Sequence, residues 1–181
     1  QFVVTHPGQF VQLNTHFPLR WLASLRASHG VKNIIGSVIL ARRDGEIKTP
    51  MDLIGKTVGA IDPLAFGGYL LGYKALSDAG LRPDSDLHLR FTGFPADALI
   101  YLLRENAVQA AIVPACLLEM MDEEGLIDKV DFVALITRPE SAPCVTSTRL
   151  YRDWSFFSQV SNSCRNLHRF FLLLSLPGIL L

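Results

Sequence analysis

From Thr57 to Ile136 short, continuous apolar runs alternate with stretches whose apolar residues recur at helical spacing. Thr57-Val-Gly-Ala-Ile61 has the character of a strand covered on both faces. Tyr69, Leu70, Tyr73 and Leu76 then mark one face of a helix over Gly67–Ala79, and Gly80 stands where a helix ends. Leu87–Phe91 alternates with period two, as a half-buried strand does. Pro95 suits a first helical turn, and Ala98–Arg104 continues it with a Leu-rich face. Gln109–Val113 predicts a strand, Pro114–Glu124 a helix stopped by Gly125, and Asp131–Ile136 a further strand. This βαβαβαβ order predicts a mainly parallel sheet, flanked by helices, with right-handed crossovers.

Residues 1–45 are less regular. Phe2–Thr5 predicts a strand, Pro7-Gly8 opens a helix, and Arg20–Leu25 and Ile34–Ala41 predict two more strands. The last is long and apolar, suited to linking two halves of a molecule. Ahead of the α/β run, Thr49 is a good N-cap, Pro50 a good first helical residue and Asp52 a first-turn carboxylate.

Composition narrows the function. Of 181 residues 49% are apolar, and 17 Lys+Arg balance 17 Asp+Glu. The apolar content excludes a disordered chain, and balanced charge without a basic run argues against nucleic acid as a partner. A small anion would have to be held by local donors rather than by the overall field. Cys116, Cys144 and Cys164 are too few for a disulfide scaffold and lack CxxC spacing. His6, His16, His29, His88 and His168 show no metal-ligand spacing. Neither a GxSxG elbow nor a GxxxxGK[ST] loop occurs. No catalytic residue, metal or cofactor is therefore expected. The chain lacks an initiator Met and a signal peptide, and its apolar end, Phe170–Leu181, falls short of the roughly 20 residues of a membrane span. A fragment truncated at both ends is expected.

The motifs now point further. Thr49-Pro-x-Asp-Leu-x-Gly-Lys-x-Val58, then Ile61-Asp62-Pro63 and a Gly-rich helix start ending in Gly68-Tyr69, resemble periplasmic substrate-binding proteins of the two-lobed type II class, in particular the phosphonate-binding branch. Phe2-Val-Val-Thr-His-Pro-Gly8, Gly36-Ser-Val-Ile39 and Phe91-Thr-Gly-Phe-Pro95 agree. Asp62-Pro-x-x-Phe-Gly-Gly-Tyr69, Cys116-Leu-Leu-Glu119 and Pro143-Cys144-x-x-Ser147-Thr148-x-Leu-Tyr151 are similar to the sensor domains of membrane histidine kinases that detect tetrathionate.

The resemblance covers about residues 1–156 and implies two α/β lobes joined by two crossover strands, with ligand held in the cleft. On that frame residues 1–45 are part of lobe 1 with the first crossover, and 46–137 are lobe 2. Residues 138–156 are the second crossover, and 157–181 an unassigned apolar tail. It also implies a periplasmic location, a small anionic ligand and a membrane-anchored parent chain that forms a homodimer as a sensor kinase. The alternatives are a solute-binding component of an ABC transporter and an enzyme built on the same fold.

Candidate site residues follow from that frame. At Ala65-Phe66-Gly67-Gly68-Tyr69, main-chain N–H groups at a helix start can meet an anion; the plainer reading is a strand-to-helix turn with Gly for close packing. Phosphonate binders carry Ser/Thr hydroxyls in this turn. Ala65, Phe66 and Gly67 stand there instead, which favours a softer, less hydrated anion such as a sulfur oxyanion. Thr92-Gly93-Phe94-Pro95-Ala96 closes a second strand and lines the same crevice, with Phe94 as an apolar wall and Asp97 as a helix cap. The His that phosphonate binders often carry near this turn is absent. Thr5, His6 and Gln9 form the equivalent turn in lobe 1, where His6 is either an anion donor or a capping residue. Ser37 is a hydroxyl donor for the cleft. Cys116 and Cys144 either form a disulfide, contributing roughly 2–4 kcal/mol, or remain as thiols near the ligand.

Overall fold

The computed structural model describes residues 1–24, 34–139 and 144–160. Along the chain run β1 (Phe2–Thr5), α1 (Pro7–Asn14), β2 (Leu19–Ser24), β3 (Ile34–Ile35), β4 (Ser37–Arg42), β5 (Thr57–Ala60), α2 (Leu71–Asp78) and α3 (Pro83–Asp86). They are followed by β6 (His88–Phe91), α4 (Ala98–Arg104), β7 (Ala110–Pro114), α5 (Leu117–Glu123), β8 (Phe132–Ala134), β9 (Tyr151–Arg152) and β10 (Ser155–Gln159). The chain divides into two compact units, Gln1–Ile34 with Tyr151–Leu181, and Ile35–Leu150. These borders differ from those expected at residues 45, 137 and 156. Gly36 interrupts the apolar run Ile34–Ala41, and everything after it joins the second unit's sheet.

In unit 1, β10 lies between β1 and β2 and pairs antiparallel with both. Residues 157–159, left from sequence in an unassigned apolar tail, are therefore three of the five residues of a central strand. Phe10 of α1 stacks on Phe157, with ring centroids 4.4 Å apart, and so covers one face of this sheet. Residues 161–181, with Cys164 and His168, lie outside the described residues, as do His29, Pro143 and the end of the strand expected at Arg20–Leu25.

Unit 2 is built on a five-stranded sheet in the order β6-β5-β7-β4-β8. β5 pairs parallel with β6 and β7, while β4 pairs antiparallel with β7 and β8. Strands β5 to β8 thus share one direction, and β4 runs against them between β7 and β8. The expected parallel set is present, but the sheet is mixed.

Both faces of this sheet are covered, which explains its continuous apolar runs. Val38, Leu40, Ala111 and Val113 project to one side, where they pack with Leu99, Ile100 and Leu103 of α4 and with Leu118 and Met121 of α5. Ile39, Ala41, Ala110 and Ile112 project to the other, with Leu76 of α2, Val58 and Tyr69. The period-two alternation of β4 and β7 sorts their side chains between the two layers. Each fully buried Leu or Ile contributes on the order of 1.5–3 kcal/mol. Entry to β5 is secured by Asp52, whose Oδ2 accepts the N–H groups of Lys48 (3.0 Å) and Thr49 (2.8 Å). Those main-chain donors hold the Asp52 carboxyl below the usual carboxylate range.

Candidate functional site

Because β5, β6 and β7 are parallel, their carboxyl ends meet at one edge of the sheet. The turns that follow them carry Ile61–Tyr69, Thr92–Asp97 and Ala115–Cys116. Ser37 opens the antiparallel β4 at this same edge, opposite Pro114. The structure therefore brings together Ser37, the segment Ala65–Tyr69, the segment Phe94–Ala96, and Cys116. The first two turns are tied directly: Thr92 N–H donates to the Ala60 carbonyl (3.1 Å) and Gly93 N–H to that of Ile61 (2.8 Å). Ala65 and Ala96 pack against the same core layer.

Phe66–Leu70 forms one π-helical turn that runs into α2. Its ladder begins where Leu70 N–H donates to the Ala65 carbonyl (3.0 Å), so the N–H groups of Gly67, Gly68 and Tyr69 stand ahead of the first intrahelical bond. A helix start presents donors and positive potential in this way. The glycines have a packing reason as well. A Cβ on Gly67 would lie 2.7 Å from Ile35 Cγ1 and 2.9 Å from the Gly36 carbonyl oxygen, and one on Gly68 would lie 2.4 Å from Ile61 Cδ1. Tyr69 is buried, with its ring edge-on to Phe91 at 5.0 Å and to Tyr73 at 5.6 Å. Burial, reinforced by the negative charge of Asp84, pushes the Tyr69 phenol upward.

In the second turn Phe94 is 79% exposed, and the Phe94–Pro95 peptide is cis. Asp97 holds the N-cap position of α4, yet its side chain makes no capping bond, and its buried Oδ1 has no hydrogen-bond partner among the described residues. The cap expected of Asp97 is not formed, because its backbone already lies in the helical region (φ −63°, ψ −28°).

Ser37 departs from the expectation that its hydroxyl serves a ligand. The residue is fully buried, and its Oγ–H donates to the carbonyl of Gly67. Its main chain is gripped by a polar triplet that sequence reasoning missed. Ser37 N–H donates to Thr148 Oγ1 (2.9 Å), while the Ser37 carbonyl accepts Ser147 N–H (2.9 Å) and Thr146 Oγ1–H (3.2 Å). Thr146, Ser147 and Thr148 are all buried. The one available signal was their polarity beside Cys144. Cys116 and Cys144 are joined as a disulfide, with Cα atoms 5.1 Å apart.

Thr5 and His6 belong to unit 1. Thr5 is buried, and its hydroxyl donates to Gln9 Oε1 (2.6 Å) rather than standing open to a ligand. His6 Nδ1 accepts the Gln9 N–H (3.4 Å) at the start of α1, the capping role, and its ring meets Trp154 edge-on at 5.8 Å. Burial raises the Asp153 carboxyl, against the opposing influence of His6, and its Oδ1 has no hydrogen-bond partner among the described residues.

A hollow of about 430 Å³ lined by Arg42, Lys56, Asn106 and Gln109 lies at the opposite edge of the unit 2 sheet. Among the described residues there is no group of His, Cys, Asp and Glu able to hold a metal, and no helix long and apolar enough to cross a membrane.

Comparison with known proteins adds three findings. A family model described as an ABC transporter phosphonate, periplasmic substrate-binding protein matches residues 1–159. The tetrathionate sensor histidine kinase TtrS of Salmonella typhimurium is 73% identical over 159 residues, which are 86% of this chain and 27% of that protein. The chain thus spans about a quarter of the length of this curated relative. Among solved structures, XAC2383 from Xanthomonas citri, bound to ATP, superposes with a TM-score of 0.69 at 14% identity, covering 96% of this chain and 62% of that one. A binding-protein component of an ABC phosphonate transporter from Pseudomonas aeruginosa gives a TM-score of 0.55 at 13% identity, covering 92% and 58%. At such identities the structural matches speak to fold alone: a type II periplasmic binding-protein fold.

Proposed function

This chain belongs to the periplasmic phosphonate-binding family of substrate-binding proteins, and we propose that it serves as the ligand-binding sensor domain of a histidine kinase, taking a small sulfur oxyanion of the tetrathionate type. The observation that carries this reading is the 73% identity, sustained over 159 residues, with a tetrathionate sensor kinase.

The anion would be met by the N–H groups of Gly67, Gly68 and Tyr69 at the start of the α2 helix, and by those of Phe94 and Ala96 in the neighbouring turn. Pro95 shapes that turn without a donor of its own. Exposed Phe94 suits a weakly hydrated, polarisable anion better than a phosphonate. Ser37 holds Gly67 in place through its carbonyl. Ligand favours a closed arrangement of the two lobes to the extent that it binds that state more tightly. The membrane-anchored, homodimeric parent chain would carry the change to its kinase. The family model's own description favours a second reading, a solute-binding component of an ABC transporter.

Titration calorimetry with tetrathionate, thiosulfate, sulfate and methylphosphonate tests the ligand. Tetrathionate is expected to bind most tightly, and a tight phosphonate with no response to any sulfur oxyanion overturns the assignment. Tetrathionate-dependent autophosphorylation of the complete parent chain in membranes separates the sensor from the transporter component.

A further inference from the structure

The Cys116–Cys144 disulfide is the covalent end of a chain of contacts that leads to the π-helical turn Phe66–Leu70 ahead of α2. Cys116 occupies the N-cap position of α5 in the left-handed region, with φ at +70°. Cys144 is followed at once by Val145, whose N–H donates to Glu119 Oε1 on α5 (2.8 Å). The next three residues are the buried triplet that grips Ser37. Ser147 also takes the Ile39 N–H on its Oγ (3.0 Å) and donates to the Ile136 carbonyl (2.7 Å). Ser37 in turn donates to Gly67. Both cysteine residues are only partly buried, and exchange requires a thiolate to reach one of the two sulfurs.

We propose that this disulfide is a redox-sensitive clamp: while oxidised it fastens Val145–Thr148 onto α5 and β4, and its reduction loosens that segment and, through Ser37, the turn at Gly67–Tyr69. The reductant is a dithiol. Its thiolate attacks Cys116 Sγ or Cys144 Sγ and displaces the other cysteine as a thiolate. The second thiol then releases the mixed disulfide. Two electrons and two protons pass to the two cysteines, and the dithiol leaves as a cyclic disulfide. The clamp is independent of which anion the site takes. It rests on the covalent link and on hydrogen bonds within unit 2.

Amide hydrogen exchange on the full chain, before and after treatment with dithiothreitol without denaturant, tests the clamp. Reduction is expected to speed exchange at Val145, Ser147 and Ser37 by roughly tenfold or more, and more weakly at Gly67–Leu70, while Val58 and Ala111 in the sheet stay unchanged. The double variant Cys116→Ser/Cys144→Ser is expected to show the loosened pattern under both conditions. If that variant does not fold, the reduced wild-type chain carries the test alone. A disulfide that resists the dithiol in the native protein overturns the proposal. So do an unchanged Ser37–Ser147 contact, uniform acceleration across unit 2, or loosening that stops short of Gly67–Leu70.

Discussion

The hydroxyl of Ser37 donates to the main-chain carbonyl of Gly67, thirty residues further along the chain, with both residues buried. This one bond ties the first residue of β4 to the turn whose N–H groups face the proposed anion. A hydroxyl expected to serve the ligand directly is engaged instead by the main chain of the candidate turn. Removing it leaves a buried acceptor without that partner, so Ser37→Ala is expected to cost about 1–3 kcal/mol of stability. Urea melts of the two proteins measure it, and a loss below the scatter of the fits would mean that the Gly67 carbonyl finds another donor.

The two glycines of the same turn have no room for a methyl group. Gly68→Ala would press its Cβ against three carbons of Ile61, the nearest at 2.4 Å, and Gly67→Ala against the main-chain oxygen of Gly36 at 2.9 Å. Either change is expected to destabilise by about 1–3 kcal/mol. Gly67→Ala should be the harder to relieve, because its obstacle includes backbone, and thermal melts of both variants rank them.

Phe94 presents the opposite case. At 79% exposure it has little packing to lose, so Phe94→Ala is expected to leave stability within about 0.5 kcal/mol. Tetrathionate affinity should nevertheless fall, because the proposed apolar wall is removed. Calorimetry beside a urea melt separates the two effects, and unchanged affinity would remove Phe94 from the site.

Asp153 gives unit 1 a pH dependence of definite sign. Its folded carboxyl holds a proton more tightly than the unfolded one, because burial outweighs the nearby His6. The folded state therefore binds more protons between the ordinary and the raised value, and stability declines as pH climbs through that window. Asp44, Asp52, Asp86 and Asp122 are shifted the other way and gain stability as pH rises toward the ordinary value, just below that window, so the measurement must be a difference. Wild type minus Asp153→Asn, in melts across the acid range, is expected to show the declining component. A flat difference would place the charge in water.

Sequence carried far into unit 2 and less far into unit 1, for physical reasons. The strands β5 and β7 were legible because burial on both faces leaves uninterrupted apolar runs, the edge strand β6 because its residues alternate, and the helix ending before Gly80 because Gly80, at φ +98°, takes a backbone conformation that favours glycine. β10 was not legible. Phe156 and Phe157 are consecutive and flanked by Ser on both sides, so the run shows no period-two signal, and the register shift beside them falls on β2, at Leu22. The direction of β4 was equally hidden, since an apolar run reads the same in either sense. The turns at Ala65–Tyr69 and Phe94–Ala96 were found from glycine, proline and strand ends. The bond from Ser37 to Gly67 and the grip of Thr146–Thr148 join residues far apart in sequence, and no local pattern records them.

The place of β4 inside its sheet also bears on how force enters unit 2. The chain arrives from unit 1 at Ile35 and passes at once into a strand flanked by β7 and β8. Tension along that connection would load two ladders of hydrogen bonds in shear, all resisting together, instead of unzipping a margin one bond at a time. A tug on this tether therefore meets both neighbouring strands at once rather than a single strand at the margin.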